Sequence, residues 1–418
     1  MSVTIKNPIT IVNTGGGGEP SSTEAKLTAY NTSTGVLTGE NLGTTAGTVY
    51  LLDRDTNTYV AQTTSSWGNT SITLTTPVDT STLEGDTSIA VVMPDGKWTN
   101  KLLVTGQVAV TGWAKVYVQD SDTRAVRTVT IDNETDFNKL YSSNNGWGIS
   151  ITIGADTFYY DEIVGVQFGS SFTKTSLNTN FFLAYASSLN QPLTIPSTIT
   201  SIARFFLYNC CSFNQPLTLP PSLASIDNDF LDCCYSFNQP LTLPSSLATI
   251  GQYFLNGCKS FNRQIIIPSA LTIINPYFLN NCTSFNQPIT VPSTVTSIGQ
   301  RFLDSCYSFN QPVNLLSSIT TIDGFFLSNC YSFNQPLTIP STVTSIGNGF
   351  LQNCYGFSRL TTETTASPTD NNSLSCDRNT VKMYVKGITV TGSGAATWIT
   401  NLPNRTSSPF RKLTNGNA

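Results

Sequence analysis

The chain carries ten cysteines and no histidine, and these two facts set the first limits on its chemistry. Seven of the thiols recur at one spacing: Cys210, Cys234, Cys258, Cys282, Cys306, Cys330 and Cys354. A thiol column suggests bound zinc or a run of disulfides. Stacked coils of chain lie about 4.8 Å apart, so Cα separations would allow bridging. Side chains in such a ladder are parallel, however, which is poor disulfide geometry, and no C-x-x-C spacing of a zinc site is present. Cysteine also serves as a small buried hydrophobe, and Ala186 replaces it in a degenerate copy. The expectation is buried free thiols, with pairing left open at Cys210/Cys211, Cys233/Cys234 and Cys376.

The absence of histidine removes Ser-His-Asp and Cys-His nucleophiles, imidazole metal ligands and the usual general base near neutral pH. Carboxylate-pair glycosidases need no histidine, so a carbohydrate-active enzyme stands as a third reading. Yet Asp227, Asp229 and Asp232, like Asp53 with Asp55 or Asp132 with Glu134 and Asp136, read as turn formers. No catalytic residue, metal ligand or cofactor is assigned, and the chain is read as a non-enzyme. A net charge of −4 and a pI near 4.9 argue against nucleic acid, which needs a basic face. No apolar run is long enough to span a membrane.

Two further columns have binding chemistry. Asparagine recurs from Asn190 to Asn334 and glutamine at Gln191, Gln215, Gln239, Gln287, Gln311 and Gln335. The asparagines are expected to form an internal ladder that bonds turn backbone between coils. The glutamines, apart from Gln191, are candidates for a ligand-binding face. The residue after each column cysteine should point outward where the cysteine points in, which adds Tyr235, Tyr307, Tyr331 and Tyr355 to that face. Exposed tyrosines give rigid, amphipathic contact area.

What positions these columns is a 24-residue repeat, seven gapless copies of which run from Leu189 to Gly356 with the pattern SFNQPLTIPSTVTSIGxxFLxNCY. One coil per repeat, stacked into a solenoid, is the architecture such a period demands. Leu337, Thr338 and Ile339 alternate as a strand does, and Pro340 ends it. The four-residue spacing of Phe350 and Cys354 predicts a single helical or 3₁₀ turn with both inside. The VTSIGxxFLxNC half resembles the BspA-type leucine-rich repeat of bacterial surface proteins, with Phe-Leu where that family usually has Ala-Phe. The SFNQPL half resembles the FNQPL repeats of mycoplasma-type surface lipoproteins.

Upstream, Leu37-Thr38-Gly39-Glu40-Asn41-Leu42-Gly43, then Gly47-Thr48-Val49, Trp67 to Ile72, Pro77 and Met93 to Asn100 follow the order of motifs in an IPT/TIG immunoglobulin-like domain, which this region resembles. Short alternating strands between Gly, Pro and Asn turns already predict a sandwich there. The fold class is therefore mostly β: an N-terminal Ig-like β-sandwich, a small β-rich domain, then the leucine-rich solenoid with a C-terminal cap. The expected boundaries are an N-terminal anchor segment and Gly linker (1–24), the IPT/TIG-like domain (25–106), a β-rich connecting domain (107–164), the solenoid with a degenerate first coil (165–360), and a loop with cap (361–418).

Val3, Ile5, Ile9 and Ile11 share one parity and would face one way on an extended strand that Pro8 restricts to an edge. A strand on a glycine tether is suited to augmenting a neighbouring protein's sheet. The start at Met1-Ser-Val-Thr-Ile-Lys lacks the pattern of a signal peptide. The reading that combines these is a structural or adhesion protein of a bacteriophage virion (a fibre or decoration protein). It would be anchored to other virion proteins by the N-terminal segment and would present the solenoid to a host-surface glycan or protein. A secreted or surface-anchored bacterial adhesin is the alternative. Neither reading involves membrane insertion, and both are compatible with a homo-oligomer.

Overall fold

The structure is a computed structural model in which residues 25–106, 108–141, 150–364, 366, 388–393 and 413–415 are described. The proposed anchor residues Val3, Ile5, Ile9 and Ile11, and Cys376, lie outside them.

Residues 25–106 form a β-sandwich. One antiparallel sheet has the order β1 (Lys26–Asn31), β2 (Val36–Glu40), β6 (Ser71–Leu74), β5 (Thr64–Trp67). The other runs β4 (Thr58–Gln62), β3 (Thr48–Asp53), β7 (Asp86–Val92), β8 (Leu102–Thr105). Period-2 alternation sends Leu37, Val49, Ile72, Ile89 and Val91 into the space between the sheets, where all five are fully buried. Gly39 is required by close approach, since a Cβ there would stand 2.3 Å from the Lys26 carbonyl oxygen. Asn100 ties the two sheets together. Its Oδ1 accepts from the Leu27 N–H at 2.7 Å and its Nδ2 donates to the Leu27 carbonyl at 2.9 Å.

The outward face of the second sheet is not polar. Tyr50, Leu52 and Tyr59 are buried there and pack with Trp98 and Val92 as a separate apolar cluster. A sheet with two apolar faces has to be covered twice, and the solenoid provides the second cover.

The connecting piece differs from expectation. Strands β9 (Ala114–Gln119), β10 (Val126–Ile131) and β13 (Ile163–Phe168) form one antiparallel sheet, with the hairpin of β11 (Ser150–Ile153) and β12 (Asp156–Tyr159) beside it. Strand β13 runs through the expected boundary at 164. Ala114, Val116, Phe137, Ile163 and Val166 belong to the same core as the coils. The Asn190 N–H donates to the Val164 carbonyl, 3.0 Å away. The piece therefore closes the open first coil, which a solenoid requires at each end.

The solenoid makes about eight turns over residues 176–362. Most coils contribute a rung to a parallel Leu-Thr-Ile ladder, as in Leu193–Thr194 beside Leu217–Thr218, and one to a parallel Ser/Thr-Ile ladder, as in Ser201–Ile202 beside Ser225–Ile226. The first ladder has no strand at 241–243 and 265–267, and the second is split between Thr249–Ile250 and Ile273–Ile274. Between the ladders run two stacks of phenylalanine. Rings Phe237 and Phe261 lie 5.9 Å apart and nearly parallel, and Phe230 and Phe254 lie 5.6 Å apart. No coil could bury such rings alone, so stacking supplies the core.

The Phe-Leu-x-x-Cys segment is not the helical turn predicted from its spacing. Every second residue has positive φ: Phe325 at 60°, Leu327 at 53° and Asn329 at 57°. Alternating hands turn successive peptides in opposite directions. The Phe325 and Asn329 N–H groups donate forward to Asn348 and Gln352, while the Leu327 N–H donates back to Phe302. The turn thus bonds both neighbouring coils, which a closed helical turn cannot do. At the C-terminal end, Arg359–Thr362, Ile388–Thr391 and Leu413–Asn415 extend the Leu-Thr-Ile ladder in parallel. Residues 361–362, expected in a loop, are strand.

Candidate functional site

The two amide columns act as one device. Each Asn Oδ1 accepts the backbone N–H of the asparagine 24 residues on, from Asn190 with Asn214 (3.1 Å) to Asn310 with Asn334 (2.8 Å). The expected internal ladder is present. The same Oδ1 atoms also hold the glutamines, through Nε2 of Gln239 on Asn214 (2.9 Å), Gln287 on Asn262 (3.1 Å), Gln311 on Asn286 (3.3 Å) and Gln335 on Asn310 (3.2 Å). With Nε2 engaged, the amide orientation is fixed and Oε1 is left as an aligned acceptor.

Where the sandwich lies on this column, the oxygens of Gln215 and Gln239 are used. Gln215 also donates from Nε2 to the Tyr59 hydroxyl at 2.9 Å, and only Gln239 is held by the preceding asparagine as well. Gln215 Oε1 accepts from the Tyr59 hydroxyl (3.1 Å) and from Ser88 Oγ (2.9 Å). Gln239 Oε1 accepts the Lys101 N–H at 2.8 Å. Gln191 Nε2 donates to the Arg54 carbonyl at 3.0 Å. Gln191, Gln215 and Gln239 are buried as a result. Gln215 and Gln239, expected on a ligand-binding face, are instead the seat of the chain's own sandwich. The sequence did not signal this, because the glutamines that dock and those that do not are the same residue in the same repeat.

Beyond the sandwich the face is open. Arg263 interrupts the column and donates from Nε to the Asn238 carbonyl at 3.1 Å. Gln287, Gln311 and Gln335 follow, half-buried, and their Oε1 atoms accept from no described residue. In the Arg263 coil the aliphatic Ile266, 74% exposed, takes the place that Thr242 and Thr290 hold in the neighbouring coils.

The tyrosines face outward as expected: Tyr235, Tyr307 and Tyr331 are exposed and Tyr355 is half-buried. They stack on each other, with Tyr307–Tyr331 centroids 4.7 Å apart and Tyr331–Tyr355 5.1 Å apart, and Lys259 Nζ lies 4.7 Å from the Tyr235 ring centroid. Ring faces consumed in this way do not offer a ligand a stacking platform.

A second aromatic column escaped the sequence reading although it has the same period. Phe181 stacks on Phe205 at 4.3 Å and Tyr253 on Tyr277 at 4.2 Å, while the Arg301 guanidinium lies between Tyr277 (5.7 Å) and Phe325 (4.6 Å). Asp229 occupies this column between Phe205 and Tyr253, 3.9 Å from Arg204. Burial, then the neighbouring Asp232, push its carboxyl up to about 6 against the opposing pull of Arg204.

The column thiols are buried, and each donates to a leucine carbonyl of the previous coil, as Cys258 Sγ does to Leu231 at 3.2 Å. Burial pushes their pKa well above the usual thiol range, as for Cys282, so they are poor metal ligands and poor nucleophiles. Cys211 and Cys233 are half-buried and free. Among the described residues no cluster of three or more His, Cys, Asp or Glu side chains could hold a metal ion, and no helix is long and apolar enough to cross a membrane.

The family described as BspA type leucine rich repeat region, in six copies, matches residues 175–310 and 272–395. Among solved structures, a leucine-rich repeat protein from Bacteroides ovatus ATCC 8483 is similar at 13% identity and TM-score 0.35, over 72% of this chain and 89% of its own. Another, from Eubacterium ventriosum ATCC 27560, is similar at 16% identity and TM-score 0.34, over 54% of this chain and 56% of its own. No curated protein matches.

Proposed function

The chain belongs to the BspA-type leucine-rich repeat family, and from that premise we propose that it is a non-enzymatic surface adhesin. Its open face, from Arg263 to Gln335, would bind a glycan or protein on another cell's surface. One observation carries this reading. The open face repeats the arrangement of Gln239, whose Nε2 is held by the preceding asparagine while its Oε1 receives a donor from a folded domain of this chain. The amide oxygens of Gln215 and Gln239 receive O–H and N–H donors, and Gln287, Gln311 and Gln335, held by asparagines as Gln239 is, have oxygens aligned for donors from outside. Sugar hydroxyls and strand N–H groups are the donors that fit such a row.

Within this reading the sandwich is a rigid spacer and the N-terminal segment an anchor; its resemblance to IPT/TIG domains is in keeping with that role. Family membership favours a bacterial envelope over a virion as the place of display, while the geometry of the face serves either. The test is binding of the labelled full chain to intact cells and to a glycan array, beside the variant Gln287→Arg, Gln311→Arg, Gln335→Arg. Loss of binding in the variant supports the reading. Undiminished binding, or hydrolysis of an arrayed glycan, overturns it.

A further inference from the structure

The aromatic column that starts at Phe181 is broken twice, and the two breaks differ. At the second, Arg301 stands where the other coils place a ring. Its guanidinium fills the gap between Tyr277 and Phe325, and Nη1 is held by Asp304 Oδ2 at 2.5 Å. A gap of two coils in this column therefore takes one guanidinium between two rings, with a carboxylate three residues further along the chain to pair it.

At the first break the rings and carboxylates are present, but the residue in the column is Asp229. Phe205 uses one face on Phe181, 4.3 Å away, and Tyr253 uses one face on Tyr277, 4.2 Å away. Their other faces look toward Asp229, two coils apart and so separated by roughly 10 Å. Both rings are half-buried, so the slot between them opens to solvent. Tyr208, nearly perpendicular to Phe205 at 5.5 Å, stands beside it. Asp229 is too short to fill this space. It is 7% exposed, and among the described residues no donor lies within hydrogen-bond distance of its carboxylate; Arg204 Nη2 is 3.9 Å away. Asp232, placed as Asp304 is in the Arg301 coil, adds a second carboxylate, whose Oδ1 accepts from Asn256 at 2.7 Å. A buried carboxylate without a donor is costly, and two ring faces above and below it suit a planar cation. We propose that the slot between Phe205 and Tyr253 binds the guanidinium of an arginine side chain from a protein partner, stacked between the two rings and donating to the Asp229 carboxylate.

Arg204 is the loose internal occupant that such a ligand displaces. Its guanidinium carbon lies 5.1 Å from the Phe205 ring centroid, and its side chain is 45% exposed. Its approach to a carboxylate stops at 3.9 Å, where Arg301 reaches 2.5 Å. Arg204 thus lies over the slot without a hydrogen bond to Asp229 and can swing into solvent. The charges favour a second cation, because Asp227, Asp229 and Asp232 face this one arginine. A guanidinium suits the slot better than an ammonium, since it is planar, stacks on rings and is weakly hydrated. The slot lies on a different column from the open glutamine face, and the proposal does not rest on the adhesin reading.

The test is a saturation-transfer difference NMR titration of the full chain at pH 7.5 with N-acetylarginine amide, beside N-acetyllysine amide at the same ionic strength. Saturable binding of the arginine compound is expected, tighter than the lysine compound by about fivefold or more. Asp229→Asn keeps the size of the side chain but removes its charge, and should weaken binding by roughly tenfold to a hundredfold. Arg204→Gln removes the internal competitor from an exposed position and should tighten binding several-fold, an effect that loss of a merely structural ion pair would not produce. Thermal melts of both variants confirm that they are folded. The proposal is overturned by the absence of saturable binding, by lysine bound as tightly as arginine, by affinity within about twofold in Asp229→Asn, or by affinity unchanged or weakened in Arg204→Gln.

Discussion

Gln215 Oε1 and the Tyr59 hydroxyl, 156 residues apart in sequence, stand 3.1 Å from each other in the buried seam between solenoid and sandwich. The same glutamine accepts from Ser88 Oγ at 2.9 Å, so one repeat residue satisfies two strands of the sheet. This seam makes the sandwich and the solenoid one body, and it shows what the glutamine column is chemically able to hold.

Replacing Gln215 with Leu should destabilise the seam by about 1–3 kcal/mol, since the buried Tyr59 and Ser88 hydroxyls lose the amide and keep only each other, 3.1 Å apart. Tyr59→Phe should cost less in the Gln215→Leu background than in the native chain, because most of its bond is already gone. Guanidinium unfolding of the four proteins of the cycle measures the coupling. Strictly additive losses would mean that the contact contributes nothing.

The thiol column predicts a two-stage labelling pattern. In the native protein at pH 8, iodoacetamide should leave Cys258, Cys282 and Cys306 unmodified, because each is fully buried with its pKa raised. Slow labelling is expected at Cys211 and Cys233, which are half-buried, with burial pushing Cys233 up to about 12. Peptide mass spectrometry before and after denaturation reads the pattern directly.

How much of this was legible in the sequence differs by residue class. The strict period placed Cys258, Phe261 and Ile250 inside, because one gapless repeat leaves every copy the same environment. The sandwich followed from short alternating strands between Gly, Pro and Asn turns, with Leu37, Val49 and Ile72 of the quoted motifs turning out fully buried. Spacing alone failed at the Phe325–Asn329 turn, where a four-residue separation fits a helical turn and an alternating-handed one equally well. It failed again at Gln215 and Gln239, whose partners Tyr59, Ser88 and Lys101 lie on another domain and share no period with them.

Asp229 carries a pH prediction. Its carboxyl is raised to about 6 in the folded chain by burial first and Asp232 second, so the folded state holds the proton more tightly than the unfolded state. The resulting stabilisation is fully present below the ordinary carboxylate value near 4 and is lost as pH rises through about 6. Asp229→Asn should therefore raise the melting temperature at pH 7.5 and leave it nearly unchanged at pH 4. A variant less stable at pH 7.5 would contradict the sign.

Tyr331 stacks on Tyr307 and on Tyr355. Tyr331→Ala should cost about 1–2 kcal/mol of stability through the two lost ring contacts, while binding to cells falls by less than in the triple glutamine variant. The comparison of chemical denaturation with cell binding distinguishes a ladder that supports the coil from one that contacts the ligand.

The central claim is that the open amide face of the later coils is where this protein meets another surface. Hydrogen–deuterium exchange of the full chain, with and without whole target cells or their isolated surface material, tests it most directly. Added protection is predicted in peptides spanning Arg263 to Thr338, with no change in the Ser201, Ser225 and Thr249 strands or in the coils that seat the sandwich. Protection confined to those other surfaces, with residues 263–338 exchanging as in the free protein, would contradict it.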